Sequence, residues 1–336
     1  RSSGPVPRLD FTADLEHLAD PLSIPQRPRP FASTLRLPGS KSITNRLYVL
    51  AALSRGRSRV RHPLRSDDCD RLLEALRTLG AHSLRVGDDD EDVIIEGVDG
   101  RFPRGGAVNL GDGGTPSRFM LAAAAMASAP VIVDGSWRMR ERPIAEGLEL
   151  LRVLGADVRC LEAEDRLPVE VRPSFTFHGG EVTVGRTASS QFISAIMLVA
   201  PWLRHGVTVH VREPLTSPSY VELTVDAMRR QTVVRCQPDP PGREAGGTIE
   251  IPPANPRLRS FDATVEPDAS GAISWMAAAA LVPGSEVRVP GLDLHGRQPD
   301  ARAMLALRAL GPTAVTEHGA DGVMSVFGGR LERGGE

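Results

Sequence analysis

A chain of 336 residues has room for about two domains, at roughly 100 to 200 residues each. With 41% hydrophobic and 24% charged residues it has the balance of a folded globular protein and not that of a disordered chain. Forty basic against 42 acidic residues leave a net charge of -2, so no global positive field exists to hold nucleic acid or an acidic membrane surface, and an anion must be bound by a local pocket. Cys69, Cys160 and Cys236 lie far apart, with no Cys-x-x-Cys pair, which argues against a disulfide framework or a zinc site and for a reducing cytoplasm. The first twenty residues carry Asp10, Asp14, Glu16 and Asp20 without an apolar run, so they do not form a secretory signal. The longest mostly apolar stretch, 119–133, is too short for a membrane span, which needs about 20 residues.

In chain order, residues 1–34, with Pro21, Pro25, Pro28 and Pro30, read as an irregular lead-in. A unit then begins and recurs. Gly39-Ser40-Lys41-Ser42 opens an alanine-rich, nearly uncharged helix over 42–53, which leads to a strand at 59–61, an amphipathic helix ending Leu73-Glu-Ala-Leu76-Arg77-Thr-Leu79-Gly80, and a strand at 92–96. Its second occurrence opens at Gly111-Asp112-Gly113-Gly114-Thr115-Pro116-Ser117-Arg118. It continues as an apolar helix over 116–126, a strand at 131–134, the arginine cluster Arg138-Met-Arg140-Glu-Arg142-Pro143, the helix Leu148-Glu-Leu-Leu151-Arg152-Val-Leu154-Gly155 and a strand at 169–172. A third opens at Ala188-Ser189-Ser190-Gln191, with helices over 190–199 and, more weakly, 225–232, and strands at 207–211 and 248–251. Pro252-Pro-Ala-Asn-Pro256 marks a crossing to a second lobe. The fourth opens at Pro267-Asp268-Ala269-Ser270, with a helix over 269–281, a strand at 286–289 and the amphipathic run Met304-Leu-Ala-Leu307-Arg308-Ala-Leu310-Gly311. Three of the four amphipathic helices stop at glycine, the residue that most readily takes the left-handed conformation of a helix end. The unit reads strand, buried helix, strand, amphipathic helix, strand, strand.

Among the 40 basic residues lysine occurs once, at Lys41; the other 39 are arginines. A compact ammonium can sit between two anions or exchange a proton, which a planar guanidinium with its pKa above about 12 cannot. Lys41 also stands at a helix N-terminus, where free backbone N–H groups and the helix dipole favour an anion. The same style recurs at the other openings: three glycines in 111–118 allow backbone to approach a ligand, and Ser189, Ser190 and Gln191 supply hydroxyls and an amide. Ordinary N-capping is the competing reading, and it fits Asp268 with Ser270 and Asp67 with Asp68. The Arg138, Arg140 and Arg142 cluster is either a solvated face or an anion clamp.

Taken together, Leu37-Pro-Gly-Ser-Lys-Ser-Ile-Thr-Asn-Arg46, Gly113-Gly-Thr-Pro-Ser-Arg118, Arg138-Met-Arg-Glu-Arg-Pro143, Ser189-Ser-Gln-Phe192 and Glu266-Pro-Asp-Ala-Ser270 make the chain resemble the 5-enolpyruvylshikimate-3-phosphate synthase family. The resemblance implies an α/β (α+β) fold of repeated βαβαββ units, here one complete three-unit lobe over 35–256, a fourth unit over 257–336 and the lead-in 1–34 belonging with that incomplete lobe. It implies two substrates, shikimate 3-phosphate and phosphoenolpyruvate, with no metal or organic cofactor. It also implies residue roles. Lys41 touches both substrates and is catalytic; Ser42 and Arg46 hold shikimate 3-phosphate; Gly114 and Arg142 hold phosphoenolpyruvate. Ser189, Ser190 and Gln191 fall at the shikimate phosphate, and Ser217 and Tyr220 make a further substrate contact. The family has six units and this chain shows four, without counterparts of the family's late Lys-Glu-x-x-Arg and Asp-His-Arg segments after Gly311. The expected activity is enolpyruvyl transfer, with a non-catalytic shikimate 3-phosphate-binding homologue as the alternative.

Overall fold

The computed structural model describes residues 29–87, 91–185, 189–238, 246–255, 257–293, 298–302, 314–316 and 323–328. From its start run β1 (Ala32–Thr34), α1 (Lys41–Leu53), β2 (Arg55–Arg61), α2 (Asp67–Leu79), β3 (His82–Val86) and β4 (Asp92–Val98). Next come β5 (Gly106–Asn109), α3 (Gly114–Ala124), β6 (Val131–Asp134), the single turn α4 (Trp137–Arg140), α5 (Ala145–Val153), β7 (Asp157–Cys160) and β8 (Val169–Arg172). The third set is β9 (Gly180–Val184), α6 (Ser190–Val199), β10 (Val207–Val211), α7 (Pro218–Arg229), β11 (Arg235–Pro238) and β12 (Gly247–Ile251). The last is β13 (Asp262–Thr264), α8 (Ala269–Leu281), β14 (Glu286–Pro290), β15 (Ala314–Thr316) and β16 (Val323–Phe327). The fourth amphipathic run, Met304 to Gly311, lies outside the described residues. No described helix is long and apolar enough to cross a membrane.

Among the described residues, four sheets of four strands share one topology, a parallel pair followed by two antiparallel neighbours: β5-β6-β8-β7, β9-β10-β12-β11, β13-β2-β4-β3 and β1-β14-β16-β15. In the first two of these the chain supplies every strand in sequence. The other two exchange their first strands. β1, from the lead-in, pairs with β14, while β13, from beyond the expected crossing at 252–256, runs back to pair with β2 at Asp262↔Arg59 and Thr264↔Arg61. Arg61 grips Asp262 through two N–H groups at 2.7 and 2.5 Å. The chain therefore passes between the two parts twice, and the two passing segments lie antiparallel. Ser40 N–H donates to the Glu266 carbonyl at 2.8 Å and Asp268 N–H to that of Pro38 at 2.9 Å.

The buried helices form where the sequence is nearly free of charge. α1, α3 and α6 meet one another and α7 inside a single hydrophobic core that spans the first three sheets. A smaller second core gathers Ala272, Met276, Val287, Val289 and Val326, with Phe31, Leu35 and Leu37 against it. α8 departs from the fully buried helix expected: Trp275 and Leu281 stand 52% and 60% exposed. Gly80 closes α2 in the left-handed conformation at φ 117°, as its place after an amphipathic run predicts.

Candidate active site

The two crossing segments fix where α1 and α8 begin. Gly39 is required there by space, since a Cβ on it would lie 2.1 Å from the His62 carbonyl oxygen and 2.8 Å from Val265. With the backbone so close, the Lys41 amide donates to Asp268 Oδ2 at 3.3 Å, while Asp268 Oδ1 accepts from Ser270 N–H at 2.9 Å and caps α8. Ser40 occupies the capping position of α1 without a side-chain cap bond. The cap of α2 is Ser66, not Asp67 or Asp68. That frees Asp68 to meet Lys41: Nζ stands 3.2 Å from Asp68 Oδ2, with the two side chains 49% and 24% exposed. An ion pair so open to water is worth about 0–1 kcal/mol, too little to hold Lys41 against a polyanion. Lys41, Ser42, Tyr220, Asp68, Asp268 and Ser270 border one open cleft of about 630 Å³.

Arg46, one turn inside α1, is buried. Its Nε donates to Thr224 Oγ1 at 2.8 Å, Nη1 to the Ser42 carbonyl at 2.8 Å, and Nη2 to the Tyr220 carbonyl at 2.9 Å and Ser194 Oγ at 3.3 Å. Its guanidinium also lies 5.3 Å from the centroid of the Phe119 ring. Burial pushes Arg46 down to about 9, opposed by Tyr220, so it keeps its charge at neutral pH. The residue expected on the substrate thus ties α1 to α3, α6 and α7, each in its second turn. The four helices run side by side with their N-termini at one end.

The second opening has its own cations. Gly114 is the first residue of α3, and a Cβ on it would lie 2.9 Å from Arg142 Nη1 and 3.6 Å from Arg118 Nη1. Arg118 donates to Gln191 Oε1, and Gln191 Nε2 donates to Thr115 Oγ1 at 2.9 Å, which joins the starts of α3 and α6. The Arg118 guanidinium stacks 4.9 Å over Phe192, and burial lowers its pKa, helped by the like charge of Arg142 and opposed by Glu146. Ser189 caps α6 by accepting from Gln191 N–H at 3.3 Å, and Ser190 is buried behind it. Of the arginine cluster, Arg140 is held by Asp134 at 2.6 and 2.9 Å and by Glu162 at 2.9 and 3.0 Å, and Arg138 lies over Trp137. The exposed Arg142 side chain has no hydrogen-bond or ion-pair partner among the described residues. Of the three arginines, Arg140 is neutralised, and it is Arg142 that lies beside Gly114 and Arg118.

Ser217 precedes α7 in the left-handed conformation, φ 55°, and its carbonyl accepts from Tyr220 N–H at 3.2 Å. Tyr220 lines the Lys41 cleft. Burial first, then the charges of Asp300 and Asp268, raise its phenol pKa, against Arg46 and Lys41. Ser194 and Thr224 escaped the sequence reading, while Asp68 was read there only as a cap and Thr115 only as part of the second opening. For Thr224 a signal existed: it lies four residues after Tyr220, on the same helix face.

A profile of the family EPSP synthase (3-phosphoshikimate 1-carboxyvinyltransferase) matches residues 25–332. The 3-phosphoshikimate 1-carboxyvinyltransferase of Cellvibrio japonicus is 36% identical over 280 residues, which are 83% of this chain and 63% of the relative. That of Laribacter hongkongensis is 39% identical with the same coverage, and the chloroplastic enzyme of tobacco, Nicotiana tabacum, is 36% identical over 83% of this chain and 54% of its own. Among solved structures, EPSP synthase from Acinetobacter baumannii superposes with a TM-score of 0.72 at 22% identity, covering 89% of this chain and 66% of that one. The enolpyruvyl transferase NikO from Streptomyces tendae gives 0.59 at 19% identity, and both establish likeness of fold. The chain spans about 63% of the length of the bacterial relatives it matches. With a profile match across nearly all of its described residues, the chain belongs to the EPSP synthase family.

Proposed function

We propose that this chain binds shikimate 3-phosphate and phosphoenolpyruvate and takes part in transfer of the enolpyruvyl group between them. In that reaction the shikimate 5-hydroxyl adds to C2 of phosphoenolpyruvate as the methylene carbon takes a proton, and the tetrahedral adduct then loses phosphate from C2 and a proton from the new methyl group, which restores the double bond. The observation that carries the reading is the pair Arg118 and Arg142 at the start of α3. Arg142 lies on Gly114 without an acidic partner among the described residues, so an anion at this helix N-terminus relieves the repulsion between two guanidiniums and gains the dipole of α3. Gly114 and Arg142 are assigned to phosphoenolpyruvate, with Arg118 beside them. Lys41 exchanges its weak pairing with Asp68 for both substrates and serves proton transfer; Ser42, Ser189, Ser190, Gln191, Ser217 and Tyr220 are assigned to shikimate 3-phosphate. Arg46 acts through others, holding the Ser42 and Tyr220 carbonyls in place, and so is a positioning residue. Fixed cations that gather two polyanions and exclude water are the main resource of such a site.

We read residues 35–256 as a three-unit lobe carrying the shikimate 3-phosphate platform, and 1–34 with 257–336 as part of a second lobe, with the strands β1 and β13 exchanged between them. We assign the chain to the cytoplasm. The test is phosphate release when phosphoenolpyruvate is added to the chain with shikimate 3-phosphate. Release that is lost in Lys41→Arg supports the transferase reading. Calorimetric binding of shikimate 3-phosphate without release favours the binding homologue, and absence of both overturns the proposal.

A further inference from the structure

One turn behind their first residues, α1, α6 and α7 carry a second layer of side chains. Arg46 is four residues after Ser42, Ser194 four after Ser190 and Thr224 four after Tyr220. Each therefore stands on the same helix face as a residue assigned to shikimate 3-phosphate, about 6 Å deeper along the axis. α3 keeps the spacing with Phe119, four residues after Thr115, whose ring lies against the Arg46 guanidinium. All four side chains are buried, Ser194 and Thr224 completely, so their polar atoms depend on one another and not on solvent.

Thr224 is where this layer is joined. Its Oγ1 accepts from Arg46 Nε at 2.8 Å and has one proton to give, with Ser194 Oγ at 2.8 Å and the Tyr220 carbonyl at 2.9 Å both in reach. The Tyr220 carbonyl already receives Arg46 Nη2 at 2.9 Å, so the Thr224 proton goes to Ser194. Ser194 in turn reaches the Tyr220 carbonyl at 3.5 Å, which closes a ring of hydrogen bonds through α1, α6 and α7. A valine has nearly the shape of threonine, yet it would strand the buried Arg46 Nε and take the donor from Ser194. The hydroxyl, more than the bulk, fixes how the three helix starts stand relative to one another.

We infer that Thr224, with Ser194, is a positioning residue for the shikimate 3-phosphate site: it touches no substrate and sets the affinity by holding Ser42, Ser190 and Tyr220 in register. The inference rests on the assignment of those three residues to that substrate. Calorimetric titration with shikimate 3-phosphate tests it in the parent chain, Thr224→Val, Thr224→Ser, Ser194→Ala and Leu50→Ala. Thr224→Val is expected to bind about tenfold more weakly, and Thr224→Ser, which restores the hydroxyl, within about threefold of the parent. Ser194→Ala strands no charged group, because Arg46 Nη2 keeps the Tyr220 carbonyl, and is expected to lose about threefold; it carries the test should Thr224→Val fail to fold. Leu50, buried two turns below Ser42, is the control for stability: Leu50→Ala is expected to lower the melting temperature and leave the affinity unchanged. Parent affinity in both Thr224→Val and Ser194→Ala overturns the inference. So does a loss in Thr224→Val that Thr224→Ser does not restore, or an equal loss in Leu50→Ala, since affinity would then follow packing or stability and not the hydroxyl. Absence of binding by the parent chain defeats the substrate assignment itself, and the inference with it.

Discussion

α1 and α8 begin on opposite sides of the same pair of crossing segments, are both thirteen residues long, and have opposite fates. α8 contains no charged residue and α1 contains Lys41 and Arg46, yet ten residues of α1 are buried against five of α8. Burial here is decided by neighbours and not by composition. α1 is enclosed by α3, α6, α7 and β4, whereas α8 rests on β14 and β16 with Trp275 and Leu281 outward. The charged residue in the better-buried helix is tolerated because four acceptors meet it.

The contrast can be broken by substitution. Leu50, wholly buried in α1, is expected to cost about 2–5 kcal/mol on Leu50→Ala, and Leu281→Ala in α8 within about 0.5 kcal/mol, both read by urea denaturation. Equal costs would mean that the two helices are equally enclosed. Arg46→Lys keeps the charge but loses the planar fork, and is expected to cost about 2–3 kcal/mol by the same measurement. Hydrogen exchange sharpens the comparison further: amides of α1, α3 and α6 are expected to exchange far more slowly than those of α8, because local opening follows buried contacts. Uniform protection would contradict this.

The smallest expected effect lies at the exchanged strand. Arg61, through its hydrogen bonds and its charge, helped by Arg59, holds Asp262 below the usual carboxylate range. A carboxylate whose folded pKa is lowered stabilises fully above its unfolded value and loses that contribution as pH falls through the lowered one. The protection factors of the β13 amides, taken relative to the intrinsic exchange rate at each pH, are therefore expected to fall below about pH 4, and Asp262→Asn to remove that fall.

The helices of this fold were legible because their cues are local: Gly80 ends α2, and the runs at 42–53, 116–126 and 190–199, with one arginine each in the first two and no charge in the third, became α1, α3 and α6. The strand exchange was not, since β1 and β13 are three residues each and their partners lie more than 200 residues away. The openings could be read from glycine, hydroxyl and lysine at helix starts. Which arginine is neutralised could not. Asp134 and Glu162, from β6 and from the turn after β7, reach Arg140 and neither Arg138 nor Arg142, a choice made by tertiary contact. The hydrogen bonds of Arg46 were not legible for a similar reason: its side-chain acceptors come from α6 and α7, 148 and 178 residues further on.

The central claim is that Lys41, weakly paired and open at the start of α1, grips a phosphorylated substrate. Calorimetric titration of the chain with shikimate 3-phosphate tests it most directly. Saturable binding that weakens at least about tenfold in Lys41→Ala is the result expected; equal affinity in the parent chain and Lys41→Ala would contradict it.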